Sequence, residues 1–185
     1  MTWVDAGDGV YFFWFYHVSC LQPKCFLLGQ ADLVFPHHGR SPMLKGLSPL
    51  LSADLLHALA SMGHGDDIVL ADANFPSATH AKRLIRMPGI GAAQVLDAVL
   101  SVIPLDTFVD APALTMQVVG DAQAVPPAVV DFNRVLASHG AQPTSALERF
   151  AFYERAAQAF VVIATGETRV YGNIILRKGV VLHDG

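Results

Sequence analysis

The stretch MGHGDDIVLADANFP, residues 62–76, decides how this chain is read. Its centre, Ile68-Val69-Leu70-Ala71, is a short apolar run suited to a buried strand, and Asn74-Phe75-Pro76 breaks it into a loop. A histidine between two glycines, Gly63-His64-Gly65, precedes the run, and an acidic residue, Asp72, follows it. Upstream, Ser52 can cap a helix with Asp54 in its first turn. Leu55, Leu56, Leu59 and Met62 recur at helical spacing until Gly63 can close it. His64 therefore sits just past a helix end, at the mouth of a strand.

Downstream the alternation of helix and strand continues. Val95, Leu96, Val99 and Ile103 predict a helix over about residues 91–103, stopped by Pro104. Leu114, Met116 and Val118 alternate as in a strand. Pro126-Pro127 opens a third helix that closes at Gly140, and a fourth runs through ERFAFYERAAQAF. FVVIATGETRVYGNIILRKG reads as a hairpin with a Thr-Gly-Glu-Thr turn and a second strand centred on NIIL. Together these elements predict one α/β domain over residues 43–185, a central β-sheet flanked by helices. Residues 1–42 share no pattern with it and are expected to lie outside the fold, either as an appendage or as a product of translation from an upstream start.

The chain has 185 residues, 52% of them hydrophobic and 15% charged, enough for a core with apolar surface to spare. Such a surplus points to burial against copies of the same chain. A net charge of -4, with no basic cluster, argues against nucleic acid as a partner. The apolar VYFFWFYHV is too short to span a membrane and is interrupted by Gln22, Pro23 and Lys24, while Asp5 and Asp8 spoil a signal peptide. The two cysteines, Cys20 and Cys25, make neither a disulfide scaffold nor paired zinc knuckles, so a reducing, cytoplasmic compartment is expected.

Several side chains are candidates for chemistry, each with a plain structural reading beside it. His64 is either a hydrogen-bonded structural residue or a proton carrier, since an imidazole titrates near neutrality and its flanking glycines leave room for a ligand. Asp72 is a turn residue or a ligand anchor at the carboxyl end of a strand. Asp66 and Asp67 fit a solvated turn. Arg149 either pairs with a nearby glutamate or forks onto vicinal hydroxyls. Gly172, between Tyr171 and Asn173, suggests strand backbone kept bare for a close approach. HExxH, GxSxG, a Walker loop and GxGxxG are absent, and no histidine, cysteine and carboxylate trio has ligand spacing, so neither a metal nor a nucleotide cofactor is expected.

Three blocks then carry a family likeness. MLKGLSPLLSADLLHALASMGHGDDIVLADANFP, ERFAFYERA, and ATGE followed by YGNIILRKGV resemble, in that order, the L-fucose mutarotase branch of the RbsD/FucU sugar mutarotases over about residues 43–181. GHGD alone is weak, but the ordered set is specific. The ribose branch resembles the chain less, because it carries Y-x-N without the FYER block.

The resemblance implies an isomerase that interconverts the α and β anomers of L-fucose without cofactor or metal. It passes the acid/base role to His64 and substrate binding to Asp72, Arg149, Tyr171, Gly172 and Asn173. Tyr153, Glu154, Asn74 and His80 are secondary candidates; some relatives carry histidine where this chain has Asn74. The bland reading of His80 is an exposed loop residue. The resemblance also implies a ring-like homo-decamer with pockets where subunits meet, and His64 and Asp72 arranged about one sugar. A ribose pyranase, a mutarotase of another monosaccharide and a non-catalytic sugar-binding protein are the alternatives.

Overall fold

A computed structural model describes residues 44–181 of the chain. The expectations for residues 1–42, including the cysteine pair and the apolar VYFFWFYHV, lie outside the described residues. Eleven elements follow in the order α1 (Ala53–Ser61), β1 (Asp67–Ala71), α2 (Ser77–His80), β2 (Leu84–Met87), α3 (Ala92–Leu100), β3 (Ala113–Met116), α4 (Pro127–Ser138), β4 (Ser145–Leu147), α5 (Arg149–Gln158), β5 (Val161–Thr165) and β6 (Ile174–Arg177). They build the expected α/β layers.

The strands form one sheet in the order β2-β5-β1-β6-β3-β4. β5 runs parallel to β1, with Val69 opposite Val162, while β6 runs antiparallel on the other side, with Val69 opposite Ile175. The sheet is central because its side chains are apolar on both faces. Ile68 and Leu70 of β1, Val161 and Ile163 of β5, and Ile174 and Leu176 of β6 pack with α1, α3 and α4. Val69, Val162 and Ile175 point the other way, into a second core with Phe75, Phe152 and Ala156. This period of two is the pleat itself.

The hairpin expected over residues 160–179 does not form. β1 lies between β5 and β6, so the two strands never pair. β1, apolar and buried from Ile68 to Ala71, takes the interior position that a hairpin would deny it, and residues 166–173 become a connection across the end of β1.

The first helix starts where expected, with Ser52 Oγ accepting the Leu55 N–H at 3.3 Å. It ends earlier, at Ser61. Met62 turns extended, and Gly63 is not its left-handed cap. The second predicted helix likewise ends at Leu100 instead of 103, although Ile103 remains in the core. The fourth helix is capped by Glu148, whose carboxylate accepts the Phe150 and Ala151 N–H groups. Two short strands, β2 and β4, and the one-turn α2 were not read from sequence.

Candidate functional site

Parallel pairing places the carboxyl ends of β1 and β5 together, and the antiparallel β6 begins beside them. Asp72 therefore meets Asn173. The Asp72 N–H donates to Asn173 Oδ1 at 2.8 Å, and Asn173 Nδ2 donates to Asp72 Oδ2 at 2.8 Å. Asp72 Oδ1 also accepts the Asn74 N–H at 2.9 Å, so the turn role foreseen for this aspartate is real. A carboxylate has about four lone-pair positions, which leaves room to accept hydroxyl protons as well.

Tyr171 and Gly172 stand in the connection before β6 and not inside a strand, as the sequence had suggested. Tyr171 has φ of 60°, the sole non-glycine residue in the left-handed region among the described residues. Such a conformation costs roughly 1–3 kcal/mol and persists only where surroundings hold it. Its hydroxyl accepts the Val119 N–H at 3.2 Å. The space beside Gly172 is bare of side chain for a different reason than a ligand's approach: a Cβ there would lie 2.6 Å from Glu167 Cγ. The protein's own glutamate fills the gap.

Arg149, the first residue of α5, follows β4, whose carboxyl end points the same way as that of β1 through β3 and β6. The expected pairing with a nearby glutamate does not form. Among the described residues no carboxylate pairs with it, and its guanidinium lies over the Phe150 ring at 4.8 Å. Further along α5, Tyr153 stacks on His80 with ring centroids 5.2 Å apart and planes 13° from parallel, and Phe75 lies 5.5 Å from Tyr153. His80 is thus the half-buried end of α2 and not an exposed loop residue. Glu154 and Asn74 remain exposed. A cavity of about 320 Å³ opens at this end, lined by Asp72, Phe75, Arg86 and Thr165 among others. That is the lower range of small-ligand clefts.

His64 lies at the other end of β1. The glycine-rich turn that carries it is pinned by hydrogen bonds from the Gly63 N–H to Asp66 Oδ2 at 2.7 Å and from the Gly65 N–H to the Lys178 carbonyl at 2.9 Å. Gly65 is needed for its φ of 84°. His64 Nε2 meets Asp106 Oδ1 at 3.2 Å, and its ring sits edge-on to Phe108 at 5.7 Å. The His64 side chain is 48% exposed while that of Asp106 is 4% exposed, so a buried carboxylate orients an accessible imidazole. The Asp106 carboxyl is held below the usual carboxylate range, first by the Phe108 N–H and then, against the opposing cost of burial, by His64.

Within one chain, then, His64 and Asp72 do not surround one sugar. They sit at opposite ends of β1, and that five-residue strand alone is roughly 13 Å long at about 3.3 Å per residue. Asp66 belongs to the turn, as expected, but Asp67 does not. Asp67 is held by Arg155 at 2.9 Å and by Arg177 at 3.3 Å, which ties α5 and β6 to β1. The sequence reading missed Asp106, in a loop with no motif to mark it, and Glu167, taken as part of a turn. Among the described residues no group of histidine, cysteine and carboxylate side chains is placed to hold a metal, and no helix is long and apolar enough to cross a membrane.

This mixed sheet recurs in solved structures of sugar-binding proteins. A fucose mutarotase from Streptococcus pneumoniae in complex with L-fucose aligns at a TM-score of 0.71 and 44% identity, over 75% of this chain and 100% of that one. RbsD of Bacillus subtilis, complexed with D-ribose, shares the fold at a TM-score of 0.60 and 24% identity, over 76% of this chain and 100% of that one. In sequence, the fucose mutarotase of Bos taurus is 49% identical over 144 residues, 75% of this chain and 94% of the relative. Residues 45–181 match the RbsD / FucU transport protein family, and the chain belongs to that family.

Proposed function

We propose that the protein is an L-fucose mutarotase, an isomerase that exchanges the α and β anomers of its sugar, and that residues 43–185 are its catalytic domain. The carrying observation is the pairing of an accessible His64 with a buried Asp106, which fixes one imidazole nitrogen and leaves the ring exposed for proton transfer. The 49% identity to a fucose mutarotase selects the sugar.

The reaction needs no net proton. A base takes the proton from the anomeric hydroxyl while the ring oxygen gains one, the bond from the anomeric carbon to the ring oxygen breaks, and an aldehyde results. The carbonyl turns its other face and the steps reverse. His64 is the acid/base group, and Asp106 steadies it. Asp72, Arg149, Tyr171, the Gly172 backbone and Asn173 hold the remaining hydroxyls so that the opened chain stays in place. Tyr153 and His80 line the same end of the sheet as Asp72 and are secondary candidates.

The wide separation of His64 from Asp72 supports a shared site, in which His64 of one subunit faces the Tyr171–Asn173 segment of its neighbour. Apolar side chains beside both halves favour this: Phe108 is 77% exposed next to His64, and Val119 and Val170 are 61% and 64% exposed near Tyr171. The assembly proposed is a ring-like decamer, in a cytoplasmic setting that suits a chain with no cysteine after residue 25. Two-dimensional NMR exchange between the anomeric protons of L-fucose tests the activity. The native protein should exceed the buffer rate, and His64→Ala should lower its catalytic rate by roughly 10²- to 10⁴-fold. Exchange no faster than buffer would sink the proposal.

A further inference from the structure

We infer that Glu167 is a positioning residue, a buried clamp that locks the Tyr171–Asn173 segment in its binding conformation through Arg169. The inference rests on the reading of that segment as a sugar anchor.

Glu167 is 6% exposed. Oε1 accepts the Arg169 backbone N–H at 3.1 Å and Nε at 2.9 Å, while Oε2 accepts Nη2 at 2.9 Å. The Ala92 backbone amide at the start of α3 also favours the charged form of this carboxylate. The backbone of Glu167 is fixed as well. Its N–H donates to Thr165 Oγ1 at 3.2 Å, and its carbonyl accepts the Ala73 N–H at 2.8 Å, directly beside Asp72. Its Cγ occupies the space that a Gly172 side chain would need.

Arg169 carries this restraint outward. Its remaining terminal nitrogen, Nη1, donates to Asp131 Oδ2 on α4 at 2.7 Å, so the guanidinium joins the connection to a neighbouring helix. Two residues later Tyr171 adopts its left-handed φ of 60°. Nothing intrinsic to tyrosine favours that conformation, and the segment after it must bring Asn173 to Asp72. A forked guanidinium–carboxylate pair at the base of the turn, with Gly172 resting on the glutamate stem, holds both requirements at once. A surface arginine pair would not need a glutamate this deeply buried, and a purely structural glutamate would not need to sit under Gly172.

The test uses the full chain and L-fucose itself. Its readouts are calorimetric Kd and NMR-derived kcat for Glu167→Gln, Arg169→Lys, Asn173→Ala and the double variant Glu167→Gln/Asn173→Ala. Arg169→Lys keeps the charge, loses the fork and, being partly exposed, spares the core should Glu167→Gln fail to fold. The expected result is a Kd raised about tenfold in both clamp variants, with kcat within about threefold of native. The double variant should bind little worse than Asn173→Ala alone, because the clamp acts through that segment. A folded Arg169→Lys with native Kd, or additive losses in the double variant, would overturn the clamp. Native Kd in Asn173→Ala would instead overturn the sugar-anchor reading, and the clamp with it.

Discussion

Asp72 and Asn173 are 101 residues apart in sequence and exchange two hydrogen bonds of 2.8 Å, one from backbone to side chain and one from side chain to side chain. Both are buried, at 4% exposure each. The pair joins the end of β1 to the start of β6 and sets the edge of the proposed sugar site. Replacing Asn173 with alanine leaves the Asp72 N–H and Oδ2 without their partner. The expected cost is about 1–3 kcal/mol of stability, together with weaker L-fucose binding; thermal unfolding and calorimetry check the two effects separately.

Asp106→Asn changes one atom of the carboxylate that faces His64. The ring should lose its fixed orientation while the residue and its volume stay. Exchange of the anomeric protons is expected to slow by about 10- to 100-fold with an unchanged Kd for fucose. A native kcat would show that Asp106 serves the loop around Phe108 and not the imidazole.

Subunit mixing distinguishes a shared site from one built within a chain. His64→Ala and Asn173→Ala each spoil one half. Unfolded together and refolded, they should recover activity that neither shows alone, because some interfaces then combine an intact His64 with an intact Asn173. Phe108→Asp should lower the assembly size seen by light scattering and reduce activity with it. A mixture that stays as inactive as its components would place the whole site in one chain.

The hydrogen bonds from Arg169, ahead of the opposing cost of burial, hold the Glu167 carboxyl below its ordinary value of 4.5. Because the folded value is the lower one, the associated stability is present above pH 4.5 and is lost as pH falls through the folded value. Thermal unfolding followed from pH 6 down to pH 3 should therefore fall less steeply in Glu167→Gln than in the native protein. Parallel curves would remove Glu167 from the acid response.

Asp67 joins three elements through Arg155 and Arg177. Asp67→Ala leaves two guanidinium groups without their shared anion and should cost about 2 kcal/mol, given that both arginines remain partly in water. A drop in Tm of several degrees with native Kd for fucose is the expected pattern.

Much of this architecture was legible in the chain. Ser52, Pro126-Pro127 and the Ile68–Ala71 run are local signals, and local signals located α1, α4 and β1 within a few residues. The pairing of β5 and β6 was not legible, because adjacency in sequence suggests a hairpin while the better burial of β1 decides the sheet order. Short elements with mixed burial, such as β4, carry no period long enough to detect. For the site, the resemblance supplied residues but not distances. It could not reveal that the strand between His64 and Asp72 holds them too far apart to share one sugar within a chain, that Gly172 is bare because of Glu167, or that an unremarkable Asp106 stands behind the histidine.

The position of β6 also bears on how the molecule comes into being. Residues 174–177 insert between β1 and β3, and without them the β3–β4 ribbon has no bond to the remaining strands. A growing chain emerging from the ribosome can therefore bury α1, β1 and α3 early, yet must wait for its last described strand before the two parts of the sheet unite. Tyr171, Gly172 and Asn173 arrive just ahead of that strand, so the act that completes the sheet also delivers the segment that is to grip the sugar.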